Sequence, residues 1–362
     1  MILNTYKKYI LLLFLKTLFE ITIVFFSLIL IINLFEEINF LKNENVGEYY
    51  PIFLTFLNAP SLVFDTLPFI FLVSTMLFFM KLINKNELSI FKYTGITNFQ
   101  ILKILVFSSF LIGIFLIFGY YTFSSKLKNH YLIIKNSFAG DDKYLAVVTS
   151  NGLWIRDEVN NKINIISADR IDDVNSNLLK EVSIIQFDKD FNLLQIIETD
   201  EANINNKNWI LKNPFVTKKN TTDEFKFLNL KSNFNTEIIN KLFSNLSSMS
   251  LMQLNKTKIN YKKLGYSTVG IEVYENKIYS VPVYLAIMTL LSGIIMFNSK
   301  FRKSKIFNII LGILLSVVIY YVNYFSALLG ETGKIPIILS VWLPLIILML
   351  ISSIGMVRLN EK

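Results

Sequence analysis

Six times in 362 residues the chain runs for about twenty positions with almost no charge. These runs carry no polar face at helical spacing, so a soluble fold has nowhere to hide them. They need lipid as solvent, and about 20 apolar residues are what a helix takes to cross a hydrocarbon core about 30 Å thick. The expected spans are residues 10–35, 61–80, 104–123, 278–297, 306–329 and 335–357. A composition that is 53% hydrophobic, with 32 Phe, fits such a chain and not an ordinary soluble one. The first run is too long for a cleaved signal, and no small-residue cleavage site follows it. Inside it, Lys16 and Glu20 stand four apart, where they can pair on one helix face.

Orientation is read from Lys and Arg in the short loops. Lys7 and Lys8 precede the first span. Lys81, Lys85, Lys92 and Lys103 flank or fill the second loop. Lys300, Arg302, Lys303 and Lys305 crowd the fourth, and Arg358 and Lys362 follow the last span. The alternate loops hold Glu36, Glu37, Glu44 and Glu48 against Lys42, and Glu331 with Lys334. Both termini are therefore expected in the cytoplasm, with the long polar stretch between spans three and four outside it. The net charge of +9 is spread over membrane flanks and a polar domain, not gathered on one face as a nucleic-acid binder would have it.

In that polar stretch, apolar and polar residues alternate with the period of half-buried strands. Asn151-Gly152 reads as a two-residue hairpin turn between residues 143–150 and 153–158. Residues 163–171 read as a further strand. Hairpins are expected around 189–190 and 205–208, and a last strand at 224–230. Ser250 is placed to cap a helix reaching Lys263. The fold class expected is an α-helical membrane protein with six transmembrane helices in a 3+3 arrangement and an inserted periplasmic all-β, jellyroll-like domain. Its parts are residues 1–125, 126–274 and 275–362.

Catalytic chemistry finds little to use. There is no cysteine, and the single histidine, His130, cannot make a histidine metal cluster. Gly330-Glu331-Thr332-Gly333-Lys334 lacks the spacing of a phosphate-binding loop and reads as a Gly-rich turn. Asp65 has no second aspartate in any other span to pair with. Neither a metal site nor a cofactor site is expected in this chain. The informative segment is residues 86–97, where Leu88, Ile90, Phe91 and Ile96 interleave with Lys85, Glu87 and Lys92, and Gly95 can end a helix. Such a short amphipathic helix can be a handle for a soluble partner or an interfacial loop resting on headgroups.

Three segments resemble one family, the lipopolysaccharide export permeases LptF and LptG. They are NELSIFKYTGIT at 86–97, NGLWIRD at 151–157, and SMSLMQL at 248–254 followed by NKIYSVP at 276–282. The second segment is closer to LptG. The resemblance implies a permease subunit of an ATP-driven transporter and not an enzyme. It implies as partners an LptF-like permease (an LptG-like one if this chain is LptF), an LptB-like ATPase dimer that binds ATP, and LptC- and LptA-like periplasmic proteins. Lipopolysaccharide would be extracted from the inner membrane and handed to a β-jellyroll bridge. On this reading Glu87, Leu88, Ile90, Phe91, Tyr93 and Gly95 engage the ATPase, with Glu87 as the ion-pair partner. Phe25, Phe26, Glu36 and Lys42 belong to the lipid cavity or its entry, with Phe14 and Phe19 further along the same wall. Gly152 and Trp154 mark the β-domain. Basic residues that hold lipid phosphates in some relatives are reduced here to Lys42, among Asn33, Glu36, Glu37 and Asn39. A membrane-anchored envelope scaffold without transport activity is the alternative from another functional class.

Overall fold

The computed structural model describes residues 5–42, 47, 49–139, 153–159, 162–171, 177–218, 221–236, 245–263, 267–297 and 305–360. The elements are α1 (Thr5–Phe40), α2 (Tyr49–Asn84), α3 (Glu87–Tyr93), α4 (Asn98–Phe115), a π-helical turn (Leu116–Tyr121) and α5 (Thr122–Ala139). Eight strands follow: β1 (Leu153–Val159), β2 (Lys162–Ile171), β3 (Leu178–Phe187), β4 (Leu193–Asn203), β5 (Asn208–Lys212), β6 (Phe215–Lys218), β7 (Thr221–Glu224) and β8 (Phe227–Lys231). Then come α6 (Leu251–Lys263), α7 (Val269–Phe297), α8 (Lys305–Glu331) and α9 (Ile337–Asn360). The chain forms two compact units, one of residues 1–128 with 269–362 and one of residues 129–268.

The first unit holds six helices long and apolar enough to cross a membrane. Several outrun the apolar runs that define them. At 1.5 Å per residue the 36-residue α1 and α2 are each about 54 Å long, more than the hydrocarbon requires. The best apolar window of α2 is 67% buried and that of α7 is 56%, against 11% for α1, so α2 and α7 make the centre of the unit and α1 its flank. Close approach there depends on missing side chains: a Cβ on Gly113 of α4 would stand 2.6 Å from the Cα of Pro282 in α7. Phe14 is fully buried, edge-on to Phe71 and Phe78 of α2, so it is a packing residue and not a cavity wall. Glu20 does not turn to Lys16. Lys81 of α2 reaches it at 2.6 Å and also donates to Thr17 at 3.2 Å. A link between helices satisfies two side chains of α1 at once, which an intrahelical pair cannot do.

The second unit is an antiparallel sheet in which β1 to β5 pair in chain order, and β8 pairs β5. β5 and β6 both pair with β4 on one register, and β7 and β8 both pair back on one register, so each couple is a single strand interrupted once. The interruption lies at Asn213-Pro214 and, opposite, at Phe225-Lys226, where backbone bonds run Asn213 N–H to Lys226 O (3.0 Å) and Phe225 N–H to Pro214 O (3.1 Å). The expected strand at 224–230 is thus broken at its start.

One row explains the break. Glu181 and Asn213 have φ of 51° and 50°, the left-handed region, which breaks the regular strand geometry while the register on either side stays the same. Asp200 falls between them in the ladder. On either side of this row the pleat changes parity. Leu179 points inward and so does Val182; Thr199 and Ala202 do the same, as do Leu211 and Pro214. The sheet therefore bends along a line crossing three strands, and both halves deliver apolar residues to one core. That core includes Ile155, Ile166, Leu179, Ile184, Ile197, Trp209 and Phe234. Trp209 is fully buried, and its indole N–H reaches Phe234 O at 2.9 Å.

The hairpins are made as local chemistry predicts. Between β3 and β4 the Asp188 carboxylate accepts from the backbone N–H of Asp190 (2.9 Å) and Asn192 (2.8 Å) and from the Asn192 side chain (3.0 Å). These bonds hold its pKa below the ordinary aspartate value, the Asn192 contacts first. Ser250 and Gln253 form a reciprocal capping box at the start of α6. The expected turn at Asn151-Gly152, and the strand before it, lie outside the described residues.

Candidate functional site

Between α2 and α4 the chain makes a seven-residue helix, α3, none of whose residues is buried. Its ends are set by backbone geometry. Asn86 enters it with φ 58° and Gly95 leaves it with φ 83°. Gly95 N–H bonds Lys92 O at 3.1 Å and Ile96 N–H bonds Phe91 O at 2.9 Å, the paired closure of a Schellman motif, with apolar residues, Ile96 and Phe91, at the two positions such a motif pairs. Two residues on, Thr97 caps α4 through a box with Gln100. The turn out of α3 and the start of α4 are therefore both specified locally.

This arrangement brings together the six residues expected there. Leu88 and Phe91 are half-buried toward the protein. Ile90 is 58% exposed and Tyr93 is 90% exposed, three apart on the same face of the helix. Glu87 is partly spoken for. It accepts a hydrogen bond from Tyr9 Oη of α1 at 2.7 Å and lies 3.9 Å from Lys85 Nζ. The Tyr9 ring stands 6.4 Å from that of Phe91. What α3 offers a partner is a small apolar face headed by Tyr93 and Ile90, flanked by the charges of Glu87, Lys85 and Lys92. Sequence reading missed Tyr9, because nothing in the first residues of a span indicates a bond 78 positions away.

The residues expected at a lipid entry do not form one site. Phe25 and Phe26 are half-buried midway along α1, while Glu36 and Lys42 are exposed near its C-terminal end. The buried polar residues of that end are the neighbours, Asn33 and Glu37. Asn58 of α2 donates to Asn33 Oδ1 at 3.0 Å and accepts from Lys128 Nζ at 2.5 Å, so three helical segments are tied by amides and one ammonium. A chain of hydrogen-bonded polar groups among apolar helices is costly to leave unmade, which makes it a fixed point of the bundle. Asp65 also lies among helices. It keeps accessible surface, and Lys277 of α7, Lys128, Tyr121, Tyr274 and Tyr320 lie within electrostatic reach of it.

In the β-unit, Trp154 is 57% exposed on the outer face of β1, and Gly152 lies outside the described residues. A further residue of that segment, Asp157, has a structural part. It is fully buried and accepts from Ser232 Oγ (2.7 Å), Asn233 Nδ2 (2.8 Å) and Asn233 N–H (3.1 Å). This joins the first strand to the residues just after the last, so the sheet rolls around its core. The signal was in the sequence: Leu153, Ile155 and Asp157 share the inward register of an alternating strand, and a charge there needs partners. Among the described residues no group of three or more His, Cys, Asp or Glu is placed to hold a metal ion.

The comparison with curated proteins returned no match. The chain does match, over residues 8–358, the family described as Lipopolysaccharide export system permease LptF/LptG. That span runs from the first turn of α1 to the last turn of α9. With six helices able to cross a bilayer and a strand-rich insert between the third and the fourth, this multi-pass inner-membrane chain belongs to the LptF/LptG family of lipopolysaccharide export permeases.

Proposed function

We propose that the chain is one of two paired permease subunits, of the LptG type, in an ATP-driven lipopolysaccharide exporter. Both termini and α3 face the cytoplasm, and the β-unit stands in the periplasm. A dimeric ATPase of the LptB kind docks on α3 through Tyr93 and Ile90, with Glu87 meeting a cation of the partner. Lipopolysaccharide enters from the outer leaflet of the inner membrane between the two permeases. It leaves along the β-unit to jellyroll proteins of the LptC and LptA kind. The LptG type is supported by the segment at 151–157.

The observation that carries this reading is α3 itself: a short helix with a locally specified exit, no buried residue and an aromatic 90% exposed at its tip. Large apolar groups left open on a capped, defined element mark a surface waiting for a partner. The physics of the task agrees. A lipid with several acyl chains leaves a bilayer only along a continuous apolar route, and the free energy for that must come from a coupled reaction.

The reading is tested by purifying the tagged full-length chain from its own membranes. A related six-span chain and an ATPase should accompany it, and Glu87→Lys should deplete the ATPase while leaving the related chain in place. An ATPase recovered undiminished with Glu87→Lys and with Tyr93→Ala would remove α3 as the dock.

A further inference from the structure

α3 is flanked by two left-handed residues, Asn86 and Gly95, and buries none of its own side chains. A helix so placed can turn on its two ends when pushed, held toward the protein by its half-buried Leu88 and Phe91. To α1 the structure adds a specific tie. Tyr9, in the second turn of α1, donates to Oε2 of Glu87 at 2.7 Å and sets its ring 6.4 Å from Phe91, so a polar and an apolar contact fall on two residues of α3 four apart. The other oxygen of Glu87 lies 3.9 Å from Lys85 Nζ. Further along α1, Thr17 and Glu20 both accept from Lys81 in the last turn of α2, at 3.2 and 2.6 Å. Between these ties Ile10 and Phe14 are fully buried. From Tyr9 to Glu20, about 16 Å of helix, α1 is fastened to α2 and α3 at both ends. Beyond that it presents Ile23, Val24, Leu28, Ile31, Ile32 and Phe35 outward.

We infer that Tyr9 is a positioning residue that makes α3 and the first third of α1 one lever, so that displacement of α3 moves the first span. The inference rests on the reading of α3 as the ATPase dock. It divides the carboxylate of Glu87 between two tasks: Oε2 holds α1, and Oε1 is left for the docking partner. Coupling needs an element whose arrangement both sites bias, and the Tyr9–Glu87–Phe91 contact is such an element between α3 and α1.

The two tasks separate in the purified complex of the full chain with its partner permease and ATPase, reconstituted in phospholipid vesicles carrying lipopolysaccharide. Tyr9→Phe keeps the ring on Phe91 and removes only the hydroxyl. The ATPase should co-purify in wild-type amount, while lipopolysaccharide extracted per ATP hydrolysed falls at least about fivefold, the lower end of usual coupling between sites. Glu87→Gln still offers an oxygen to Tyr9 but has lost its charge. It should deplete the ATPase, and the complexes that remain should keep the wild-type ratio. As the chain has no cysteine, Tyr9→Cys with Phe91→Cys gives a clean pair; bridging it with a short thiol crosslinker should restore the ratio. A Tyr9→Phe complex with a normal ratio, or a bridged pair that blocks extraction, overturns the lever. A Tyr9→Phe chain that loses the ATPase as Glu87→Gln does makes Tyr9 part of the dock and also overturns it. Failure of the wild-type chain to bring down any ATPase overturns the dock, and the lever with it.

Discussion

Three donors converge on Asp157, and all three come from two consecutive residues, Ser232 and Asn233. Asp157→Ala takes the shared acceptor away from the buried Ser232 hydroxyl and from Asn233, which costs about 1–3 kcal/mol. The β-unit should then unfold at lower temperature, read from the fluorescence of the buried Trp209 in the detergent-solubilised chain. Asp157→Asn should fall between the two. Glu201 behaves differently because it is only half-buried. It lies directly across from Lys180 and Lys212 on the two neighbouring strands, with contacts of 2.5 and 3.1 Å. Lys180 first, then Lys212, hold its pKa below the ordinary glutamate value. A carboxylate lowered on folding stabilises above its unfolded pKa and loses that contribution as pH falls through the folded one. Melting of the β-unit followed from pH 6 down to pH 3 should therefore drop less steeply in Glu201→Gln than in the wild-type chain. Asp157 was legible in the alternation of β1. Glu201 was not, since its partners depend on register, which no single strand records.

At the scale of elements, the amphipathic pattern of α3 and the role of Gly95 were legible in residues 86–97, because a Schellman closure is built from neighbours in sequence; its length was not, since the helix covers only Glu87–Tyr93. Gly95→Ala puts a Cβ on a residue at φ 83°, a strain of about 1–2 kcal/mol, and unsettles the direction in which α4 leaves. The expected result is less ATPase recovered with the purified chain, and Gly95→Asn, which tolerates the left-handed region better, should recover more of it. The bend in the sheet was not legible. Glu181 and Asn213 look like ordinary strand and turn residues, and only their alignment across β3, β4 and the β5–β6 strand reveals the line they form. The same holds for Glu20. Its nearest cation in sequence is Lys16, yet the helix beside it offers Lys81 together with a use for Thr17.

For the whole molecule, the six apolar runs settled the architecture because the bilayer imposes length and apolarity on each span separately. What the runs could not say is which helices are central. α2 carries Pro60, Pro68 and several polar residues, features that lower its appeal as a lipid-facing helix, and it is the most buried of the six. α1 reads as the purer hydrophobic helix and lies at the flank. Orientation is open to a direct measurement, since single cysteines can be placed in a chain that has none. A membrane-impermeant thiol reagent applied to intact cells with a permeable outer membrane should label Trp154→Cys and spare Lys92→Cys. Inverted inner-membrane vesicles should give the reverse.

The row through Glu181, Asp200 and Asn213 sets a rule for how this sheet can change. Extra residues at a hairpin tip only lengthen two strands and leave their partners undisturbed. One residue gained or lost at the row would put that strand out of step with its neighbours and turn half of it inside out. Length variation should therefore be tolerated at the tips and forbidden along this seam, whatever the side chains there happen to be.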